Sequence, residues 1–184
     1  MDRRQRKTRE AIFSAFTQLL GQKDYAQITV GEIIDRADVG RATFYAHFET
    51  KDFLLKEFCS ELFRHIMDTA MGLPADCRYG SWEDPVFLHL LRHLQENDRN
   101  ILDLLSSRNN EIFLRYFKNG LKTLIDSQYA QKGLLQNSHL PQDFLVNHMA
   151  ATFVETVEWW LSQKQKEPPE VMAEYFLAAI EPLL

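Results

Sequence analysis

The sequence predicts an all-α protein with a three-helix N-terminal unit, a long fourth helix and a helical C-terminal region. Apolar residues recur at helical spacing through most of the 184 residues. No segment shows the strand-like alternation between hairpin turns that a sheet requires. Hydrophobic residues make up 45% of the chain, which is enough for one sizeable core or two small ones.

Charge is spread unevenly along the chain. The net charge of −5 argues at first against a nucleic-acid partner. Up to Lys56, however, ten Lys/Arg face eight Asp/Glu, and the remainder carries eleven against eighteen. Five of the first nine residues are basic: Arg3, Arg4, Arg6, Lys7 and Arg9. Such an arm suits phosphate or minor-groove contact, or is simply a solvated, disordered terminus; both interpretations stay open.

Targeting and redox signals are weak. The basic start is not followed by a continuous apolar segment, and no stretch reaches transmembrane length. Cys59 and Cys77 do not suggest a disulfide framework. We therefore expect a cytoplasmic protein with reduced thiols and no membrane contact.

The first two helices have clear signals. A helix is predicted over residues 8–21, with one apolar face formed by Ile12, Phe13, Phe16, Leu19 and Leu20. Thr29 and Glu32 have the Thr-x-x-Glu spacing of a capping box, so the second helix should begin at Val30.

A turn and a very short third helix follow. Asp38-Val39-Gly40 breaks the apolar pattern, and Gly40 can adopt turn dihedrals or cap the next helix. The helix over 41–47 would bury Phe44 and Phe48. Its solvent face would carry Arg41, Thr43, Tyr45 and His47. This arrangement is typical of a helix-turn-helix, whose second helix enters the DNA major groove. The alternative is a small helical hairpin with ordinary surface charges.

The rest of the chain is predicted to be helical. Thr50 caps a long fourth helix over 51–71, with Asp52 favourably placed in its first turn. Further helices are predicted from a cap at 81–84 to Glu96, and over 100–106, 109–131 and 141–165. Pro168-Pro169-Glu170 begins the last helix, since proline favours the first turn.

The last two helices are apolar on nearly every side, over 144–161 and 171–184. One face can pack on its own domain, but the other then needs a partner. Two such helices predict a four-helix bundle with a second copy, hence a homodimer. The predicted interface residues are Phe153, Val157, Trp160, Tyr175, Phe176 and Ile180. The alternative is a fully central helix pair within a monomer.

Catalytic, metal and cofactor signals are lacking. His89 and His93 have the i, i+4 spacing of a metal-binding pair, but no HExxH motif or cysteine cluster accompanies them. Histidines at the edge of a core explain this pair more simply. No glycine-rich phosphate loop or nucleophile elbow occurs. We expect a protein that is not an enzyme and holds neither a metal nor a cofactor.

Aromatic residues of the middle helices either fill the core or line a pocket for a small apolar ligand. The candidate ligand-binding residues are Phe58, Phe63, Phe87, Phe113, Tyr116, Phe117 and Trp159.

The string over residues 8–57 resembles the N-terminal DNA-binding domain of the TetR family of bacterial transcriptional regulators. The matching positions are Ile12-Phe13-Ser14-Ala15-Phe16, Leu19-Leu20, Tyr25, Ile28-Thr29-Val30, Ile33, Ala37, Val39 through Phe48, and Lys51-Asp52-Phe53-Leu54-Leu55. Two positions depart from the family pattern. Asp24 stands where glycine is common, and Gly40 stands where a small polar residue is commoner.

The resemblance implies a DNA-binding domain over 1–50 and a regulatory and dimerisation domain over 51–184. It places Arg41, Ala42 and Tyr45 at base edges. The phosphate contacts that it implies are Thr29, Thr43, Tyr45, His47 and Lys51, with Gly40 also at the DNA surface. It implies a homodimer on a palindromic double-stranded operator, released by a small apolar effector. An activator or co-regulator acting through protein contacts is the alternative, as is a helical binding protein unconnected to DNA.

Overall fold

The computed structural model describes residues 3–71, 85–96, 105, 111–130 and 140–183. The predicted cap at 81–84 and Cys77 lie outside these residues. So does the predicted helix over 100–106, apart from Leu105. None of the described helices is long and apolar enough to span a membrane.

The all-α prediction is confirmed, and no strand occurs among the described residues. The helices are α1 (Arg3–Leu20), α2 (Val30–Ala37), α3 (Arg41–His47), α4 (Lys51–Ala70), α5 (Val86–Glu96), α6 (Glu111–Ile125), α7 (Gln142–Ser162) and α8 (Pro169–Ile180). A 3-10 turn at Tyr25–Gln27 precedes α2, a π-helical turn at Asp126–Ala130 extends α6, and a 3-10 turn at Glu181–Leu183 follows α8.

The basic arm belongs to α1, which begins at Arg3 rather than near residue 8. The disordered alternative is therefore wrong from Arg3 onward. Arg9 is engaged within the protein and not directed at DNA, because its guanidinium lies 2.7 Å from the Glu57 carboxylate of α4. The same guanidinium lies over the rings of Phe13 and Phe48.

The helices α1, α2 and α3 pack around a common apolar centre together with the first half of α4. Phe16, Phe44, Phe48 and Leu54 are fully buried there. Large aromatic side chains contribute much of the apolar surface removed from water, so these rings dominate the packing. The core continues along α4 into the C-terminal helices without a break.

The second half of α4 packs on α6, and α5 packs on α8. The approach of α4 to α6 is close because Gly120 lies under the ring of Phe63. A Cβ at Gly120 would lie 2.1 Å from Phe63 Cδ2. Glycine normally weakens a helix interior by about 0.5–1 kcal/mol relative to alanine, so this position trades helix propensity for close packing.

The structure corrects the predicted dimer residues. Phe153, Val157, Trp160, Phe176 and Ile180 are all fully buried within one chain. They face the protomer core, so a partner cannot reach them. Of the predicted set, Tyr175 alone is exposed, at 50%.

Trp160 also fixes the end of α7. Its indole N–H donates to the Glu167 carbonyl at 2.7 Å. The intervening Lys164 and Gln165 have left-handed backbones, with φ of 56° and 53°. The side chain of Trp160 therefore ties the connection between α7 and α8 to the core.

Candidate nucleic-acid interface and effector groove

The start of α2 is fixed by the predicted capping box. The Glu32 amide donates to Thr29 Oγ1 at 3.3 Å, and the Thr29 amide donates to the Glu32 carboxylate at 2.9 Å. Lys23 also donates to that carboxylate. Hydrogen bonds from Lys23 and Thr29 lower the pKa of Glu32 to about 2. Two otherwise unpaired amides of the first turn thus gain partners, and the orientation of α2 is defined.

The turn between α2 and α3 uses Asp38 rather than glycine for its left-handed residue. Asp38 has φ 51° and ψ 49°, a conformation that aspartate tolerates better than most residues. Gly40 is extended, with φ −71°, and caps α3 by accepting from the Phe44 amide at 3.0 Å. A Cβ at Gly40 would meet only Thr43 Oγ1, at an ordinary 3.5 Å. Of the two roles predicted for Gly40, the structure shows the cap.

Two buried aromatic residues anchor α3 on the core. Phe44 and Phe48 are both fully buried. The Phe48 ring packs edge-on against Phe13 of α1 at a centroid distance of 5.4 Å. A seven-residue helix has little stability of its own, so this burial must hold it in place.

The opposite face of α3 is open to solvent. Arg41, Ala42, Thr43 and Tyr45 are exposed, and His47 is half-buried. Thr29 and Gly40 are exposed at the adjoining helix starts. The predicted DNA-contact residues other than Lys51 thus lie on α3 or at the starts of α2 and α3, each at least partly exposed. We call them the recognition surface.

Lys51 has partners of its own in the protein. Its ammonium donates to the carbonyls of Tyr25 and Ile28, both at 2.8 Å, and lies over the Tyr25 ring. Burial lowers the pKa of Lys51. An ammonium has three N–H donors, and two of these are directed at the chain itself. The structure thus adds a positioning role to the predicted phosphate contact.

Tyr25 completes this link between the loop before α2 and the start of α4. Its hydroxyl donates to the Asp52 carboxylate. Burial, followed by the interaction with Asp52, raises the pKa of the Tyr25 hydroxyl well above its ordinary value, so the proton stays on the phenol. Sequence reasoning missed Lys23, Tyr25 and Arg9 as positioning residues, because their partners are distant in sequence.

A groove of about 620 Å³ lies between α4 and α6. Two of the predicted ligand residues, Phe63 and Tyr116, line it. The other lining residues are Lys56, Cys59, Ser60, Arg64, Met67, Asp68, Met71, Asn119, Gly120 and Thr123. Burial raises the pKa of the Cys59 thiol to about 12, so it is an unreactive part of the wall.

The remaining predicted ligand residues lie outside this groove. Phe58 packs on Phe13 and Phe16, both at 6.2 Å, near the DNA-binding unit. Trp159 lies on the surface beside Tyr175.

Three more of these aromatic residues fill the core. Phe87 packs against Phe153 and Phe176. Phe113 and Phe117 are buried, with their rings 5.5 Å apart. The sequence pattern that could have located the groove is a row of residues every four positions rather than aromatic content. Cys59, Phe63 and Met67 recur at this spacing on α4, and Met71 continues it at the C-cap.

Sequence models of protein families match both parts of the chain. Residues 12–58 match "Bacterial regulatory proteins, tetR family". Residues 81–182 match "Transcriptional regulator C-terminal region", a TetR C-terminal model that covers more than half of the chain.

Curated relatives are regulators. The chain is 30% identical over 146 residues to the HTH-type dhaKLM operon transcriptional activator DhaS of Lactococcus lactis subsp. lactis, covering 78% of this chain and 74% of DhaS. It is 26% identical over 193 residues to the HTH-type transcriptional regulator YxbF of Bacillus subtilis. That match covers 98% of this chain, which spans only 46% of YxbF.

Solved structures share the fold. A TetR transcriptional regulator from Streptococcus agalactiae 2603V matches with a TM-score of 0.70 at 35% identity, covering 97% of this chain and 96% of that one. FadR from Bacillus subtilis, solved with stearoyl-CoA, matches with a TM-score of 0.61 at 20% identity over 95% and 98% of the two chains. These matches and the two family models agree with the helix-turn-helix geometry: the chain belongs to the TetR family of bacterial DNA-binding transcriptional regulators, which are not enzymes.

Proposed function

We propose that the protein binds a palindromic operator as a homodimer and that a small, largely apolar effector releases it. The observation that carries this proposal is the recognition surface. Arg41, Thr43 and Tyr45 are exposed on a helix that Phe44 and Phe48 hold rigidly from behind. An α-helix with its side chains is about 10–12 Å across and so fits the major groove, which is about 12 Å wide.

The recognition surface combines the functional groups that DNA contact needs. Arg41 can donate two hydrogen bonds to a guanine edge, and Ala42 can meet a thymine methyl group. Hydroxyl groups of Thr29, Thr43 and Tyr45 suit phosphate oxygens. The third N–H of Lys51 remains directed away from its two carbonyl partners, which is compatible with a phosphate contact as well.

The outward face of α7 and α8 supports a homodimer, and of the predicted interface residues it retains Tyr175. Phe144 is 53% exposed and Trp159 is 46% exposed, although both are large and apolar. Trp159 meets the half-exposed Tyr175 of α8 at a centroid distance of 6.2 Å. An exposed aromatic pair that spans two helices is typical of a protein interface, and Phe144 adds another exposed ring about four turns earlier on α7. We call this the α7–α8 face and propose that it pairs with its own copy.

Dimer symmetry sets the form of the operator. A two-fold homodimer presents two copies of α3, so its site should be palindromic, with half-site centres about one helical turn or a multiple of it apart.

We propose that the boundary near residue 50 separates DNA binding from regulation. The first half of α4 nevertheless packs with α1, through Arg9 and Glu57. Since bacterial DNA lies in the cytoplasm, the protein would act there.

The α4–α6 groove supports control by an effector. Its walls combine apolar residues such as Phe63 and Met67 with the polar groups of Asn119 and Thr123. FadR, which shares the fold, was solved with a long acyl-CoA, although its identity to this chain supports only the fold. Because α4 extends from the groove to the DNA-binding unit, a ligand that shifts it alters the spacing of the two α3 helices. A coupling of about 1–3 kcal/mol between ligand and DNA would be ordinary.

Activation is the second candidate function, favoured by the similarity to DhaS, an activator. Both functions use the same recognition surface. They differ in where the operator lies relative to the promoter and in whether the bound protein recruits another protein.

Selection of bound duplexes from a random pool tests the proposal most simply. We expect recovered sequences to converge on an inverted repeat, and a footprint on genomic DNA to locate that repeat near a promoter. Transcription measured with and without the protein then separates repression from activation. Recovery of sequences without any shared repeat would contradict the proposal.

A further inference from the structure

Three histidines from two helices meet beside the α4–α5 contact. His65 lies on α4, and His89 and His93 lie one turn apart on α5. The ring centroids are 4.8 Å apart for His65 and His93, 4.9 Å for His89 and His93, and 5.7 Å for His65 and His89. One ring nitrogen from each residue can be chosen so that all three atoms lie within 4.8 Å of one another.

The three histidines of this cluster differ in burial. His89 is 2% exposed and His93 is 7% exposed, whereas His65 is only half-buried. Nε2 of His65 is buried and has no hydrogen-bond partner within the described part of the chain. A buried polar atom without a partner is costly, and a bound ion is one recognised way to satisfy it.

A metal ion binds imidazole through a ring-nitrogen lone pair, which only the neutral side chain offers. Metal binding to the cluster should therefore weaken as the pH falls.

The ligand type narrows the choice of ion. Imidazole nitrogen suits Zn²⁺, Cu²⁺, Ni²⁺ and Fe²⁺, whereas Mg²⁺ and Ca²⁺ prefer oxygen. Zn–N bonds of about 2.0–2.1 Å place two nitrogens of a tetrahedral site roughly 3.4 Å apart. Side-chain rotation can close the remaining gap of about 1.4 Å between the ring nitrogens.

We propose that His65, His89 and His93 bind one divalent transition-metal ion, with Zn²⁺ preferred, and that the ion joins α4 to α5. Three histidines with a fourth position left to water are an established zinc arrangement. The site is separate from the effector groove, whose walls come from α4 and α6. It does not depend on DNA binding or dimer formation. The sequence predicted histidines at the edge of a core because neither an HExxH motif nor a cysteine cluster accompanies His89 and His93. The third histidine, His65, lies on another helix and leaves no local pattern.

Metal binding to the untagged, chelator-stripped protein tests this proposal. We expect a single Zn²⁺ per chain by competition with a chromophoric chelator. Saturating Zn²⁺, at about one hundred times its dissociation constant, should raise Tm by about 5–10 °C. Co²⁺ should give the intense visible absorption of a four-coordinate site, and X-ray absorption should show nitrogen neighbours typical of imidazole.

Matched substitutions locate the site. H65Q and H93Q should each weaken Zn²⁺ binding by at least about tenfold, in line with loss of a direct ligand. H148Q, which removes a histidine stacked on Phe144 at the surface, should leave binding unchanged. If either buried variant fails to fold, the Co²⁺ and X-ray spectra of the wild-type protein still decide the question. No stoichiometric binding by the wild-type protein, or equal binding by H65Q, H93Q and H148Q, would overturn the proposal.

Discussion

The recognition surface and the α7–α8 face present functional side chains in contrasting ways. In α3 an apolar back and a polar front alternate cleanly, with Phe44 and Phe48 behind and Arg41 in front. In α7 the exposed side mixes large apolar side chains with polar ones, so that Trp160 is fully buried whereas its apolar neighbour Trp159 is 46% exposed. Periodicity identifies a face only where the two sides differ in polarity.

Substitution of the adjacent tryptophans should give the largest expected difference in the free energy of unfolding. W160A removes a fully buried ring and its hydrogen bond to the Glu167 carbonyl. We expect it to lower the free energy of unfolding by about 3–5 kcal/mol, the usual cost for a buried large aromatic residue. Chemical denaturation measures this loss.

Its matched control sharpens the comparison. W159A should leave each folded chain intact but weaken dimer formation by about 2 kcal/mol or more, as expected for an aromatic interface residue. Sedimentation across a concentration series reports this change. Equal unfolding by both variants, with dimer affinity unchanged in W159A, would show that the α7–α8 face has been assigned incorrectly.

Substitution of Gly120 tests packing at the groove. G120A places a methyl group against the Phe63 ring, so we expect a loss of about 1–3 kcal/mol in unfolding free energy despite the better helix propensity. G31A in α2 is the control, because its Cβ would meet only Thr29 Oγ1 at 3.8 Å. G31A should be neutral or slightly stabilising in thermal unfolding. A stabilised G120A would indicate that α4 and α6 separate easily.

Lys51 tests whether one residue serves both folding and DNA contact. K51A removes hydrogen bonds to the Tyr25 and Ile28 carbonyls, so we expect it to lower unfolding free energy by about 1–2 kcal/mol. It should also weaken binding to all DNA sequences alike and reduce the salt dependence of that binding. Unfolding curves and salt titrations separate the two effects. Stability unchanged from wild type would mean that these hydrogen bonds contribute nothing net.

Protonation of Glu32 should have the smallest expected effect on folding stability, because solvent screens the interactions of this carboxylate. Its pKa is lowered from 4.5 to about 2 in the folded protein. The carboxylate therefore contributes stability that is fully present above about pH 4.5, and that is lost as the pH falls toward 2. E32Q should be less stable than wild type at neutral pH, with the difference shrinking over this range. A constant difference measured by denaturation at each pH would contradict this assignment.

Local signals predicted the DNA-binding unit well. The Thr29–Glu32 capping box and the buried pair Phe44 and Phe48 occur as the spacing indicated. The turn at Asp38-Val39-Gly40 was placed correctly. Of the two roles left open for Gly40 the structure shows the cap, and Asp38 takes the left-handed conformation. Contacts between distant segments, such as Arg9 with Glu57, left no local pattern to detect.

Predictions for the C-terminal helices were correct in type and mostly wrong in orientation. Apolar residues occur on nearly every side of α7, so periodicity did not show which side faces the protomer core. Phe153 and Trp160 were therefore assigned to an interface although they belong to the core. Aromatic content likewise did not locate the groove. Phe87 serves the core, whereas the less conspicuous Cys59 and Gly120 form the wall.

DNA binding is proposed to depend on the recognition surface, and substitution of Arg41 tests this most directly. Equilibrium binding of the selected inverted repeat, and of its single-base variants, should be compared for wild type, R41A and R115A. Arg115 is an exposed α6 arginine far along the chain from α3, so R115A controls for lost charge. We expect R41A to lose about 1–3 kcal/mol per half-site and its preference at one base position, while R115A retains both. Unchanged affinity and base preference in R41A would contradict the assignment of α3 as the DNA-reading helix.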